Sequence, residues 1–121
     1  MTAPFFSVII PVYNRAGPLG RAIESVLAQS CQDFEIVVVD DGSTDAPHTV
    51  VQRFADPRIR FIRQDNAGGG AARNAAIDAA RGRFVAPLDS DDIFLPHHLE
   101  RMHALLEGSD GTLVGYARIR V

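Results

Sequence analysis

The chain has 121 residues, 46% hydrophobic and 22% charged, enough for one compact domain burying roughly two-thirds of its extended surface and too few for two. A formal net charge of −3 and a single cysteine argue against a general attraction to nucleic acid, an internal disulfide framework and a cysteine-rich zinc site. All 12 basic residues are arginine, which excludes a Walker-type phosphate loop and Schiff-base chemistry, since both need a lysine.

In chain order, Ser7-Val8-Ile9-Ile10-Pro11-Val12 is a short β-branched run that reads as a strand buried on both faces, as parallel strands are. Leu19, Ala22, Ile23, Val26 and Leu27 recur at helical spacing behind Pro18, a residue suited to a first helical turn, and predict a helix through Gln29. Residues 34–39 form a second buried strand. It ends at Asp40-Asp41-Gly42-Ser43-Thr44-Asp45, where glycine and capping residues mark a loop that opens a helix. Val50, Val51 and Phe54 mark the inner face of that helix, Asp56-Pro57 stops it, and residues 59–62 are a third strand whose alternation places it nearer an edge. Gly68-Gly69-Gly70 breaks the chain before an alanine-rich helix over 71–80, with Gly82 at its stop. Residues 84–88 are a fourth strand ending in Asp89-Ser90-Asp91-Asp92. After Pro96, residues Leu99, Met102, Leu105 and Leu106 predict a helix to Gly108, and 112–119 predicts a fifth strand.

Strands alternating with helices at this spacing predict an α/β fold: right-handed βαβ units, a mainly parallel sheet and helices on both faces, as one domain over 1–121. No apolar run approaches the ~20 residues of a membrane span, and the first residues lack the basic and apolar stretches of a signal peptide. A cytoplasmic location is therefore expected, with peripheral attachment to the inner face of a membrane left open for a longer protein.

Ligands of such sheets sit beyond the carboxyl ends of the strands, and the unusual polar residues fall there: Tyr13, Asn14 and Arg15, then Asp40 and Asp41, then 66–70, then 89–92. Asp40 and Asp41 repel each other unless donors sit between them. The polar edge of a base or ribose supplies such donors, and capping of the next helix by Asp41 or Ser43 is the plainer reading. In Asp89-Ser90-Asp91-Asp92 the carboxylates alternate as a hard divalent cation prefers. They offer few ligands, so a diphosphate that brings its own oxygens would complete the site; a solvated acidic turn is the alternative. No glycine or terminal glutamate falls where a calcium-binding EF-hand needs one.

Gly68-Gly69-Gly70 can let backbone N–H groups approach an anion, with Arg73 nearby as a fixed positive fork. The spacing does not match the dinucleotide fingerprint. Arg15 is a second candidate for phosphate, against a plain surface role. His97, His98 and His103 do not share one helical face and read as helix surface. Cys31 has no neighbour in sequence to lower its pKa, which argues against a nucleophilic role.

Taken in order, Ser7-Val8-Ile9-Ile10-Pro11-Val12-Tyr13-Asn14, Asp40-Asp41-Gly42-Ser43-Thr44-Asp45, Asn66 and Gly68 with Ala72-Arg73-Asn74, and Asp89-Ser90-Asp91-Asp92 resemble the N-terminal half of a family 2 glycosyltransferase. The resemblance runs from about Ser7 to Leu106. It implies a three-layer α/β/α, Rossmann-like GT-A fold, truncated after the half that binds a nucleotide-activated sugar, most often a UDP-sugar. It places Pro11, Tyr13 and Arg15 around the base and phosphates, and Asp41, helped by Asp40, as acceptor of a base N–H. Gly68 and Arg73 would border the nucleotide, Asp89 and Ser90 the ribose or sugar, and Asp91 would ligate Mn²⁺ or Mg²⁺ on the diphosphate.

In such enzymes the general base comes from beyond the fifth strand. No carboxylate follows Asp110 here, so no catalytic base is nominated. The chain is then expected to bind donor without transferring sugar to an acceptor, saccharide or lipid-linked. A non-catalytic nucleotide-binding module, or a split protein completed by a partner chain, is the alternative. On either reading a second copy is a candidate to cover the apolar edge left by a missing half. A receiver-like phosphoacceptor is disfavoured by the absence of lysine.

Overall fold

The computed structural model describes residues 3–107. Among them, strands β1 (Phe6–Val12), β2 (Phe34–Asp40), β3 (Ile59–Arg63) and β4 (Phe84–Pro87) alternate with helices α1 (Ala16–Leu27), α2 (Pro47–Gln52), α3 (Gly69–Ala79) and α4 (His98–Leu106). Every pairing is parallel, in the order β3-β2-β1-β4, with the third strand at an edge as expected. The fifth strand expected at 112–119, and Asp110, lie outside the described residues.

Period-two alternation divides the apolar runs between two faces. Val8, Ile10, Val12, Ile36 and Val38 meet Leu19, Ala22, Ile23 and Val26 of α1, Val50 of α2, and Leu99, Met102 and Leu106 of α4. On the other face Ile9, Val37 and Val39 meet Ala72 and Ala76 of α3. The result is three layers, with each fully buried aliphatic side chain contributing about 2 kcal/mol of apolar burial.

The direction of travel decides which helix covers which face. From β1 through α1 to β2 the chain moves one way across the sheet; from β3 through α3 to β4 it returns past β2 and β1. Right-handed crossovers taken in opposite directions put their helices on opposite faces. The boundary between β1 and β4 is therefore the topological switch point, where loops leaving adjacent strands diverge and open a crevice.

Pro11 belongs to this geometry. Leu88 N–H donates to the Ile9 carbonyl at 2.9 Å, so the polar backbone of Ile9, and of Pro11 two residues on, faces the β4 side. The β1–β4 register ends at Ile9 opposite Pro87. Proline thus occupies an inner strand without removing a ladder hydrogen bond, just where the crevice begins.

Several local expectations change. Helix α3 starts inside the glycine run: only Gly68, with φ +101°, lies outside it as N-cap. Gly82 owes its identity to close approach, because a Cβ there would lie 2.7 Å from Phe6 C and Ser7 N of β1. Helix α2 ends at Gln52, so Phe54 packs on the core from beyond it.

The amino end of the sheet is closed by Glu35, which accepts the Ser7 hydroxyl at 2.5 Å, Arg81 N–H at 2.6 Å and Arg60 Nη2 at 2.8 Å. Burial pushes this carboxyl up, but the Ser7, Arg81 and Arg60 donors outweigh it and hold the pKa below its ordinary value.

Candidate functional site

A cleft of about 370 Å³ opens at the switch point. Pro11, Tyr13 and Arg15 reach it from the end of β1 and Asp41 from the end of β2. Gly68 and Arg73 come from the start of α3, and Asp89, Ser90 and Asp91 from the end of β4. A larger hollow, about 520 Å³, lies at the amino end of the sheet beside Glu35, Arg58 and Arg60. Two of its arginines are already paired within the protein, Arg60 with Glu35 and Arg58 with Asp56, and the carboxylate cluster lies elsewhere, so size alone does not select the site.

Every residue nominated from the sequence lines the cleft except Asp40, expected to help Asp41. Asp40 is fully buried at the end of β2: Oδ1 accepts Ser43 N–H at 2.8 Å, and Oδ2 pairs with Arg63 Nη1 of β3 at 2.7 Å. Its carboxylate serves the loop and the sheet edge.

The rest of the 40–45 motif is also mostly scaffold. Asn14, at φ +50°, accepts Thr44 N–H on Oδ1 at 2.8 Å and donates its own N–H to Ser43 Oγ at 2.9 Å. Asp45 Oδ2 accepts Ala16 N–H at 2.9 Å, capping α1 from a different loop where Arg15, its N-cap residue, gives no side-chain bond. Gly42 has φ +84°, and a Cβ there would stand 2.9 Å from Asn66 N. The loops after β1, β2 and β3 are thus locked together.

Asp41 is the centre of that lock. Oδ1 accepts Gln64 Nε2 at 2.8 Å and Ala67 N–H at 2.9 Å; Oδ2 accepts Gly68 N–H at 3.0 Å and Asn66 Nδ2 at 3.3 Å. Hydrogen bonds from Gln64, Ala67 and Gly68, in that order of weight, hold the carboxyl below its ordinary pKa against the opposing effect of burial. Asp41 is ionised and faces the cleft with its lone-pair directions already engaged.

The turn after β4 is built differently. One carboxylate oxygen from each of Asp89, Asp91 and Asp92 lies within 4.8 Å of the others, with Asp91 exposed and Asp92 buried. Hard oxygen donors so close together, on the rim of a cleft, fit Mg²⁺ or Mn²⁺ and would not suit a soft metal. Asp89 and Asp92 join Asp91 as candidate ligands, so the expected division between a sugar-facing Asp89 and a metal-binding Asp91 is not visible in the side-chain positions. Arg15 and Arg73, both exposed, supply positive charge to the same cleft.

Sequence reasoning nominated neither Gln64 nor Asn66 as a site residue; Asn66 lines the cleft and both bind Asp41. Their signal was their place between the end of β3 and Gly68. The histidines do not all lie on the surface. His97 is exposed, but His98 is 8% exposed and stacks on Phe94 at 4.3 Å, burial lowering its pKa, and the His103 ring sits 4.1 Å from that of Phe5. Cys31 is half-buried and unpaired.

A parallel, Rossmann-like sheet with its cleft at the switch point, lined by both arginines and carboxylates, defines an α/β domain suited to anionic, metal-chelating ligands. The family model Glycosyl transferase family 2 matches residues 7–121, and the chain belongs to that family. Succinoglycan biosynthesis protein ExoO of Rhizobium meliloti (strain 1021) is 51% identical over 100 residues, covering 82% of this chain and 29% of that protein. S. aureus TarS 1-349 in complex with UDP-GlcNAc superimposes with a TM-score of 0.80 at 34% identity, covering 85% of this chain and 31% of that one. The mannosyltransferase PcManGT from Pyrobaculum calidifontis in complex with GDP-Man and Mn²⁺ gives 0.76 at 28% identity, covering 93% and 34%. The fold is GT-A, and the chain spans about a third of the length of these relatives. Among the described residues, no helix is long and apolar enough to cross a membrane.

Proposed function

We propose that this chain is the donor-binding part of an inverting, metal-dependent glycosyltransferase, and that its ligand is a UDP-sugar held with Mn²⁺ or Mg²⁺. The observation that carries this reading is that exposed Arg15 and Arg73 line the same cleft as the carboxylates of Asp89 and Asp91. A diphosphate needs both kinds of group, positive side chains for its oxygens and carboxylates for the metal it brings. Family membership and the two neighbours with bound nucleotide sugars support the choice.

Tyr13 offers its ring, and Pro11 the apolar strand end, to the base. Asp41 accepts the base N–H by exchanging one of its present donors, and the Asn66 amide, at 3.3 Å the longest of the four, is the one to yield. Gly68 lets the backbone approach the nucleotide, and Arg15 and Arg73 neutralise the phosphates. Asp89 and Ser90 border the ribose or sugar. Asp91, with Asp89 and Asp92 adjacent, holds the cation, which when bound offsets charge on the departing nucleoside diphosphate. No residue of this chain is assigned as the base that deprotonates the acceptor hydroxyl, so the chain alone binds donor without transferring sugar.

Calorimetry tests the reading. UDP should bind in the presence of Mn²⁺ and bind at least about a hundredfold more weakly in EDTA, with GDP as the comparison for the base. Absence of binding by both nucleotides in the presence of Mn²⁺ would overturn it.

A further inference from the structure

The turn that carries Asp89, Asp91 and Asp92 leads into residues 93–97, which form neither helix nor strand. Like charges within 4.8 Å repel each other; the turn is closed by Asp92 N–H on the Asp89 carbonyl at 3.0 Å, and its placement at the cleft depends on how its two ends are held. Its first end is fixed by Leu88 N–H on the Ile9 carbonyl of β1. Its second end rests on α1, some distance from the cleft in sequence.

Gln29, at the C-terminal end of α1, is 2% exposed. Its Nε2 donates to the Leu95 carbonyl at 2.6 Å and to the Ser25 carbonyl at 3.1 Å, while its Oε1 accepts Leu99 N–H at 2.9 Å. One amide side chain thereby ties together the end of α1, the segment after the acidic turn and the first turn of α4. The N-cap residue of α4, His97, gives no side-chain cap of its own. Two neighbours strengthen the same seam: Phe94 N–H donates to Ser25 Oγ at 3.0 Å, and Ser30 N–H to the Pro96 carbonyl at 3.0 Å.

We propose that Gln29 is a positioning residue for the cation site, holding the Asp89, Asp91 and Asp92 carboxylates at chelating separation by anchoring residues 94–99 to α1. The inference rests on reading that cluster as the divalent-cation site. Gln29 touches neither nucleotide nor metal; it supplies donors and an acceptor that no apolar side chain of its size can replace.

The test is a Mn²⁺ titration, followed by electron paramagnetic resonance, of the full-length protein with UDP present. UDP affinity in EDTA is measured alongside. Gln29→Met, which keeps volume and removes the hydrogen bonds, should raise the Mn²⁺ dissociation constant about tenfold, the low end of what loss of an outer support costs a metal site. Ser25→Ala should raise it by about threefold. Ile36→Val, a core change in β2, serves as a control for general destabilisation and should leave it within about twofold. UDP affinity in EDTA should hold within about twofold throughout, a split that loss of fold alone does not produce.

Mn²⁺ affinity unchanged in Gln29→Met, or metal-free UDP affinity falling equally, overturns the inference while leaving the cation site in place. If Gln29→Met does not fold, Ser25→Ala decides by the same criteria. No Mn²⁺ binding by the wild type overturns the cation site and the inference together.

Discussion

The two acidic clusters at the carboxyl edge of the sheet use one kind of side chain for opposite purposes. After β2, Asp40 is matched by Ser43 N–H and Arg63, Asp41 by four donors, and Asp45 by Ala16 N–H. After β4, three carboxylates converge within 4.8 Å, and among the described residues Asp91 makes no hydrogen bond or ion pair. A carboxylate ringed by N–H groups is stabilised by the protein and stabilises it in return. Carboxylates that face one another raise the energy of the empty site, and a cation brought between them relieves it. The first cluster builds the floor of the cleft; in the second, Asp91 alone has no protein partner among the described residues, and it is the carboxylate we propose for the ligand's cation.

The largest expected effect breaks the second cluster. Asp91→Ala should reduce Mn²⁺-dependent UDP affinity by two orders of magnitude or more, about 3 kcal/mol. As an exposed residue outside the scaffold it should leave the melting temperature within about 3 °C. A large loss of stability would show that the turn after β4 is scaffold too, and the contrast between the clusters would collapse. Gly42→Ala inverts the pattern. With φ at +84° and a Cβ placed 2.9 Å from Asn66 N, it should cost about 2 kcal/mol of stability, measured by denaturant titration. It should weaken UDP binding only through displacement of the loop that follows β3.

The sequence showed the layers and most of the cleft because the signals were local. β-branched runs such as Val37-Val38-Val39 specify buried strands, and glycine with aspartate at strand ends marks the loops where ligands bind. What it could not show is pairing across distance. Two adjacent aspartates look equivalent in sequence, and only the register of β2 against β3, Asp40 opposite Arg63, removes Asp40 from the cleft. His98 read as helix surface because its burial depends on Phe94 and on how α4 returns to the sheet, neither of which has a periodic signature. Gly82 read as a helix stop for the same reason: its neighbours at Phe6 and Ser7 are remote in sequence.

Acid sharpens the comparison further, in two steps. The His98 pKa lies below its ordinary 6.5 because burial disfavours the charged ring. Below pH 6.5 the unfolded chain therefore takes up a proton that the folded one refuses, and stability falls until the folded value is passed. His98→Phe, which keeps a ring against Phe94, should remove this step from a plot of melting temperature against pH. Glu35 and Asp41 lie below their ordinary 4.5 and 3.8. Their contribution is complete above those values and is lost as pH falls through the lower folded ones. The second step should survive in Asp91→Ala, since it belongs to the amino end of the sheet and the loop after β2.

The smallest effect tests whether the first cluster is scaffold throughout. Asp45 lies in the same acidic motif as Asp41 but outside the cleft lining, and among the described residues its side-chain hydrogen bond is the cap on Ala16 N–H. Asp45→Ala should cost about 1 kcal/mol of stability, the usual loss for a helix cap, and change UDP affinity by less than about threefold, because Arg15 precedes the capped turn and keeps its backbone anchors at Asn14. A loss of binding larger than the loss of stability would mean that Asp45 sets the position of Arg15 in the cleft. The boundary between scaffold and site would then run through the 40–45 loop and no longer between the two clusters.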